Sequence, residues 1–239
     1  MWPSLDIEAL VDATLVTMGS RLNEFAEAGR QVYATSSFQT QSVPLLHMIS
    51  EHFTDSIEVV MIDTGFLFPE TYAFAEDLQN RWGFSLRKVH SERSYIEQLN
   101  TKGQFLFTRN LDRCCGINKV QPMEAILSEG DVWLSGIRSD QTAVRAEKTE
   151  LETDARGVLR YHPMLAWTNR DIYAYIGAHN LPKHPLEDSG YMSIGCIPCT
   201  RKWNLSHANT RGGRWAGSHK TECGLHQPDA VKSPPTPAR

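Results

Sequence analysis

The segment "IEVVMI", residues 57–62, limits the fold more than any other. It is apolar at every position but one and rich in β-branched side chains. A strand with one wet face alternates apolar and polar residues; this one does not, so both of its faces must be covered. That is the pattern of an inner strand of a parallel sheet, and the flanking segments supply the helices such a sheet needs. Apolar residues recur at helical spacing from Leu5 to about Gly29, a plausible stop. "QVYATSS" then predicts a strand, "SVPLLHMISEHF" a helix, "FPETYAFAEDLQNRW" a helix opened by Pro69, and "FSLRKVH" a strand. Further on, "PMEAILSEG" predicts a helix, "DVWLSG" and "LRYHPML" strands, and "WTNRDIYAYIGAH" a helix with Thr168 as N-cap and Asp171 three residues on. Strand and helix alternate, which predicts an α/β fold with a mostly parallel sheet and helices on both faces. Ligands of such folds sit beyond the carboxyl ends of the strands. "YATSSFQTQS", "MIDTG" and "LSGIRSDQ" all lie there.

From His184 onward the alternation fades and Gly, Pro and Cys become frequent, as in a mobile extension laid over the active face. Residues 1–226 are expected to form one domain, with a catalytic segment at 206–226 and a disordered, proline-rich tail at 227–239. Net charge is −4, from 24 basic and 28 acidic residues. That balance argues against a general nucleic-acid or membrane binder, although local basic clusters can still hold a small anion. No basic segment followed by an apolar run opens the chain, and no apolar run is long enough to span a membrane. The expected location is the cytoplasm.

The cysteines divide four and one. Cys114 and Cys115 form one pair and Cys196 and Cys199 another, with 80 residues between them; Cys223 stands alone. An odd count speaks against a disulfide framework. Four thiolates can hold zinc or a 4Fe–4S cluster, or be incidental thiols. Adjacent cysteines suit a cluster better, because its separate iron corners accept diverging side chains more easily than one tetrahedral ion does. Cys223 lies in "KTECGLH", among Arg211, Arg214, Lys220, His219 and His226, against one acid, Glu222. Such cations lower a thiol's pKa, so Cys223 reads as a thiol meant to react.

The adjacent cysteines, the 80-residue gap, the CxxC pair and the late "ECGLH" together resemble the assimilatory adenylyl-sulfate (APS) reductases, relatives of the PAPS reductases. "IDTGFLFPETY", "GIRSDQTAVRA", "PMLAWTNRDIYAYI", "LPKHPLEDSGYMSIGCIPCTR" and "RGGRW" agree with that family, and the likeness covers roughly residues 30–226. It implies an adenine nucleotide α-hydrolase-like fold, a 4Fe–4S cluster on Cys114, Cys115, Cys196 and Cys199, and thioredoxin or a glutaredoxin-like protein as reductant. The implied reaction is thioredoxin-dependent reduction of APS to sulfite and AMP in sulfate assimilation, through an S-sulfocysteine on Cys223. Cluster-free members use PAPS, so four paired cysteines point to APS. Homo-oligomerisation stays open.

By resemblance, Lys119 lies between cluster and phosphosulfate, and Arg145 contacts substrate. Arg211, Arg214 and His226 neutralise the phosphosulfate, whose negative oxygens would otherwise repel a thiolate. Ser36 and Ser37 belong to a phosphate-side loop, Gly136 lets backbone approach the nucleotide, and the Ile62 backbone faces adenine. Arg138 reads equally well as an ion-pair partner of Asp140. Gly212, Gly213, Gly217 and Gly224 would let Cys223 move between closed and open states. The chain departs from the family pattern at Gln39, Thr40 and Gln41, where a glycine and an acidic pair are more usual, and in a short stretch between Arg214 and Cys223. Within this reading PAPS is the alternative substrate, and two other readings compete. One is a zinc-stabilised protein that only binds nucleotide. The other is an ATP pyrophosphatase-type ligase, which would need glycines and an aspartate that "SSFQTQS" lacks. No sixth cysteine exists to resolve a Cys223 adduct, so if the paired cysteines bind the cluster the second thiol must come from another protein.

Overall fold

A computed structural model describes residues 7–205 and 211–226. The expected disorder of 227–239 therefore lies outside the described residues, as do residues 206–210 of the expected catalytic segment. The chain runs α1 (Ile7–Glu27), β1 (Val32–Ser36), α2 (Val43–His52), β2 (Glu58–Asp63), α3 (Pro69–Trp82), β3 (Leu86–His90), α4 (Leu111–Cys115), a π-turn (Gly116–Val120), α5 (Gln121–Glu124), β4 (Val132–Ser135), α6 (Ala143–Ala146), β5 (Leu151–Thr153), β6 (Leu159–Tyr161) and α7 (Asn169–Ala178). The sheet order is β3-β2-β1-β4-β6-β5. Five strands are parallel and β5 pairs antiparallel with β6 at the edge.

The doubly apolar strands divide their side chains between two cores. Val59 and Met61 of β2, Val32 and Ala34 of β1, and Val132 and Leu134 of β4 pack with Met18, Leu22, Leu46, Phe74 and Ile172 from α1, α2, α3 and α7. Val60 and Trp133 point to the opposite face, against Met123 of α5, Leu127 and Val158. Burial on both faces is what "IEVVMI" predicted. α7 begins on a capping box: Thr168 accepts from the Asp171 N–H at 3.3 Å, and Asp171 accepts from the Thr168 N–H at 2.7 Å.

Two elements differ from the sequence reading. The helix expected over 122–130 ends at Glu124. It is the tail of a longer helical stretch beginning at Leu111, where Asn110 caps by accepting from the Arg113 N–H at 2.8 Å. β5 was not anticipated. It has three residues, too few to show a period. No helix among the described residues is long and apolar enough to cross a membrane.

Candidate active site

The strand order reverses at β1, which has β2 on one side and β4 on the other. A crevice opens there beyond the strand ends, as this topology dictates. Its walls include Ser36 and Ser37 after β1, Ile62 near the end of β2 and Gly136 after β4. The backbone turns sharply out of β1: Phe38 is fully buried with φ 54°, and its N–H donates to the Ser36 hydroxyl at 3.1 Å. A bulky residue in the left-handed region marks strain held by its surroundings. Ser37 and Ser42 share a hydrogen bond at 3.0 Å. At Gly136 a Cβ would lie 3.1 Å from Leu45 Cδ2, so the backbone there packs closely.

The crevice is chemically two-ended. Leu45, Leu46, Ile49, Met61 and Leu67 line an apolar part, whereas Lys119, Arg145, Arg211, Arg214, Cys223 and His226 line a cationic one. Every residue predicted to bind substrate is brought to this one cavity. Arg138 is not: it is buried at 2% exposure and paired with Asp140 at 3.2 Å, as the alternative reading had it.

Next to the crevice, a second, small cavity is lined by Cys114, Cys115, Cys196 and Cys199 together. None of the five cysteines is in a disulfide. The first pair sits where α4 gives way to the π-turn, the kind of distortion that bringing two adjacent side chains to one site requires. Asn118 within that turn donates to the Cys114 carbonyl at 3.1 Å and lies 3.6 Å from its sulfur. It is held by two hydrogen bonds with buried Gln98, at 2.7 and 3.0 Å. The second pair brackets a short 3₁₀ turn, Ile197–Cys199, with Cys196 as its N-cap and Cys199 as its last residue; the turn is fastened to the loop after β2 by Ile197 N–H to Phe66 O at 2.7 Å. Thr64 lies 3.2 Å from the Cys196 sulfur. Burial pushes the Cys114 thiol up to about 11 and also raises Cys199. Among the described residues no three His, Cys, Asp or Glu side chains gather tightly enough to hold one metal ion. The donor set is four sulfurs around one small cavity, which suits a thiophilic group larger than a single ion.

The C-terminal segment is stitched to the CxxC loop. Arg201 N–H donates to Gly213 O at 2.8 Å and Trp215 N–H to Cys199 O at 3.0 Å. Gly213 was expected to supply mobility, yet it serves close approach: a Cβ there would sit 2.3 Å from the Arg201 carbonyl. Gly195 makes room for the Arg214 guanidinium, which fills the place of its Cβ. Lys220 pairs with Asp112 on α4. Cys223 thus arrives with its sulfur 4.0 Å from Lys119 Nζ. Its thiol is held well below the ordinary value by a hydrogen bond donated from Cys115 and by the charges of Lys119 and Arg214, against the opposing effect of burial. Burial works against the charge on Lys119, but the neighbouring sulfurs of Cys196, Cys223 and Cys115 outweigh it and raise its pKa. Burial and the surrounding arginines keep His226 neutral.

Lys119 and Trp215 line both cavities and so form the wall between them. The sequence reading placed Lys119 there but missed Trp215, Thr64, Gln98, Asn118 and the part played by Glu222. Of these only Glu222 carried a signal, as the one acid in a cationic tail.

The phosphoadenosine phosphosulfate reductase domain model matches residues 31–202. An adenosine 5′-phosphosulfate reductase of Salinibacter ruber is 36% identical over 80% of this chain and 76% of its own length. One from Oceanobacillus iheyensis is 36% identical over 84% of each chain. A crystal structure of a phosphoadenylyl-sulfate reductase from Candida auris, a phosphate complex, superposes with a TM-score of 0.63 at 23% identity, covering 80% of this chain and 96% of that one. The fold is therefore adenine nucleotide α-hydrolase-like. With the parallel sheet, the switch-point crevice and matches spanning most of its length, the chain belongs to the family of phosphoadenosine and adenosine 5′-phosphosulfate reductases.

Proposed function

We propose that this protein reduces adenosine 5′-phosphosulfate to sulfite and AMP, with Cys223 as the nucleophile. The carrying observation is a single lone thiol, 4.0 Å from a lysine ammonium, at the cationic end of a crevice whose other end is apolar. That polarity matches a sulfonated nucleotide, with the purine on Leu45, Leu46 and Ile49 and the phosphosulfate toward Lys119 and the arginines. Ser36, Ser37, Ile62 and Gly136 offer hydroxyl and backbone groups along the way. The adenosine 5′-phosphosulfate reductase names of the relatives support the unphosphorylated nucleotide as substrate.

The Cys223 thiolate attacks the sulfonate sulfur. A sulfur–sulfur bond forms, the sulfur–oxygen bond to phosphate breaks, and AMP leaves with that electron pair. A dithiol reductant of the thioredoxin class then attacks the Cys223 sulfur, sulfite departs with the electron pair, and the donor's second thiol resolves the mixed disulfide. Both electrons come from the dithiol. Cys114, Cys115, Cys196 and Cys199 would hold a 4Fe–4S cluster, which when bound supplies charge close to the sulfonate. Once Cys115 is committed to iron it has no proton to donate, and Lys119 and Arg214 are then what keep Cys223 ionised. Five free thiols suit a reducing compartment such as the cytoplasm.

Anaerobic protein supplied with a reduced thioredoxin should release sulfite from APS faster than from PAPS. No sulfite from either nucleotide would defeat the reductase reading; equal rates would defeat the preference. Cys196→Ser should lose iron and sulfide together, and full iron content in that variant would show the ligand set to be wrong.

A further inference from the structure

Glu222 is the most enclosed charged group among the described residues of the C-terminal segment, at 2% exposure, and its hydrogen bonds link the Cys223 backbone to Arg145 and Thr142 in the body of the enzyme. Its carboxylate accepts from Arg145 Nε and Nη2, both at 2.8 Å, in a bidentate pair that joins the segment to α6. It also accepts from the Thr142 hydroxyl at 3.1 Å, from Arg211 Nη2 at 3.2 Å and from the Cys223 N–H at 2.8 Å. Gln141 braces Arg145 from the other side. A second tie, from Arg160 Nη2 to the Leu225 carbonyl at 2.6 Å, lies two residues past the nucleophile. Lys119 and Arg214, by contrast, have no carboxylate partner among the described residues, and the buried Arg214 Nε has no hydrogen-bond partner there.

We propose that Glu222 is a positioning residue that docks Cys223, that Arg145 and Arg211 serve this carboxylate, and that Lys119 and Arg214 are the cations left to meet the substrate's sulfonate. This divides the labour of the cationic end. Of the lysine and three arginines among the residues expected on substrate, two arginines are committed to an internal anion before substrate arrives. A bidentate guanidinium–carboxylate pair has fixed direction, so it sets the orientation of the adjoining Cys223 backbone as well as its distance. Beside these polar ties, Leu225 packs against the core that holds Val60 and Trp133, and Trp215 is buried, so the anchor fixes the direction of a segment that apolar contacts also hold.

The inference rests on Cys223 being the reactive thiol, and the test separates the two. In anaerobic, cluster-loaded protein without nucleotide, the rate of Cys223 alkylation by iodoacetamide, followed by peptide mass, reads docking without any turnover. Glu222→Gln keeps the shape and removes the charge. It should alkylate at least tenfold faster than wild type while iron content and melting temperature hold, and its kcat should fall with KM for APS little changed. Glu222→Asp should recover part of both. In the Arg145→Gln, Glu222→Gln double variant Cys223 should be no more accessible than in the faster single variant, since one tie is being cut twice. An unchanged alkylation rate in Glu222→Gln would overturn the proposal. So would a lower KM with kcat intact, because the carboxylate would then be a competitor of substrate and not an anchor. Failure of the nucleophile assignment would appear elsewhere, as the lack of any sulfo adduct on wild-type Cys223.

Discussion

Cys223 and Lys119 form the smallest unit in which the chemistry is visible. The half-buried lysine keeps its proton among several sulfurs, and the Cys223 thiol is shifted toward its ionised form by a hydrogen bond from Cys115, where that thiol is free, and by the charges of Lys119 and Arg214. The thiol therefore faces a cation before substrate arrives, which favours its ionised form. Lys119→Gln removes the nearest cation. It should slow adduct formation at pH 7 by about 100-fold, the usual effect of deleting one preorganised electrostatic partner, and the rate should climb with pH as the thiol regains its ordinary titration. A flat profile in that variant would assign the ionisation to another group. The cysteines were legible in the sequence because their type is scarce and their neighbours chemically pointed, paired cysteines and a lone cysteine in a basic tail, whereas Lys119 was singled out only through the family resemblance. Their supports were not. Thr64 meets Cys196 across 132 positions and Arg145 meets Glu222 across 77, and no local pattern announces such contacts.

Among the elements, the long, doubly apolar strands and the capped helices were predicted within a residue or two, because side-chain period and capping are local. What escaped was the helical stretch from Leu111 and its π-turn, where tertiary demands on Cys114, Cys115 and Asn118 override helical regularity. The loop after α7 carries a testable pH dependence. His184 is buried, accepts from the Leu186 N–H on Nδ1 at 3.1 Å and lies 3.0 Å from Thr71 Oγ1 through Nε2. The ring is therefore neutral, and burial lowers its pKa to about 4. Its unfolded value is about 6.5, so between pH 6.5 and 4 the unfolded chain binds the extra proton and stability falls as pH falls. At pH 5 the loss from this one group is about 2 kcal/mol. His184→Gln, compared with wild type in urea at pH 7 and 5, should shrink the pH-dependent difference by about that amount. An unchanged difference would mean that His184 is not the group that titrates. Thr168→Ala, which removes the α7 cap, should cost about 1 kcal/mol at either pH.

At the scale of the molecule, two cavities share a wall. The four-sulfur cavity is built from α4, the π-turn and the CxxC loop; the crevice is built from the ends of β1, β2 and β4; Lys119 and Trp215 belong to both. The C-terminal segment closes this junction by fastening to the CxxC loop through Arg201 and Trp215 and to α6 through Glu222. The fold class could be read from strand–helix alternation and the general location of the site from strand ends. How the segment docks could not, because it depends on surfaces far apart in the chain. The central claim is that the docked thiol takes the sulfo group from the nucleotide. The measurement that meets it most directly is the intact mass of anaerobically purified protein after addition of APS with no reductant, with iron and sulfide determined on the same sample. The account predicts four irons and one sulfo-sized mass gain on Cys223, with no gain in Cys223→Ser. A gain that persists in Cys223→Ser, or no gain in wild-type protein carrying its full iron, would contradict it.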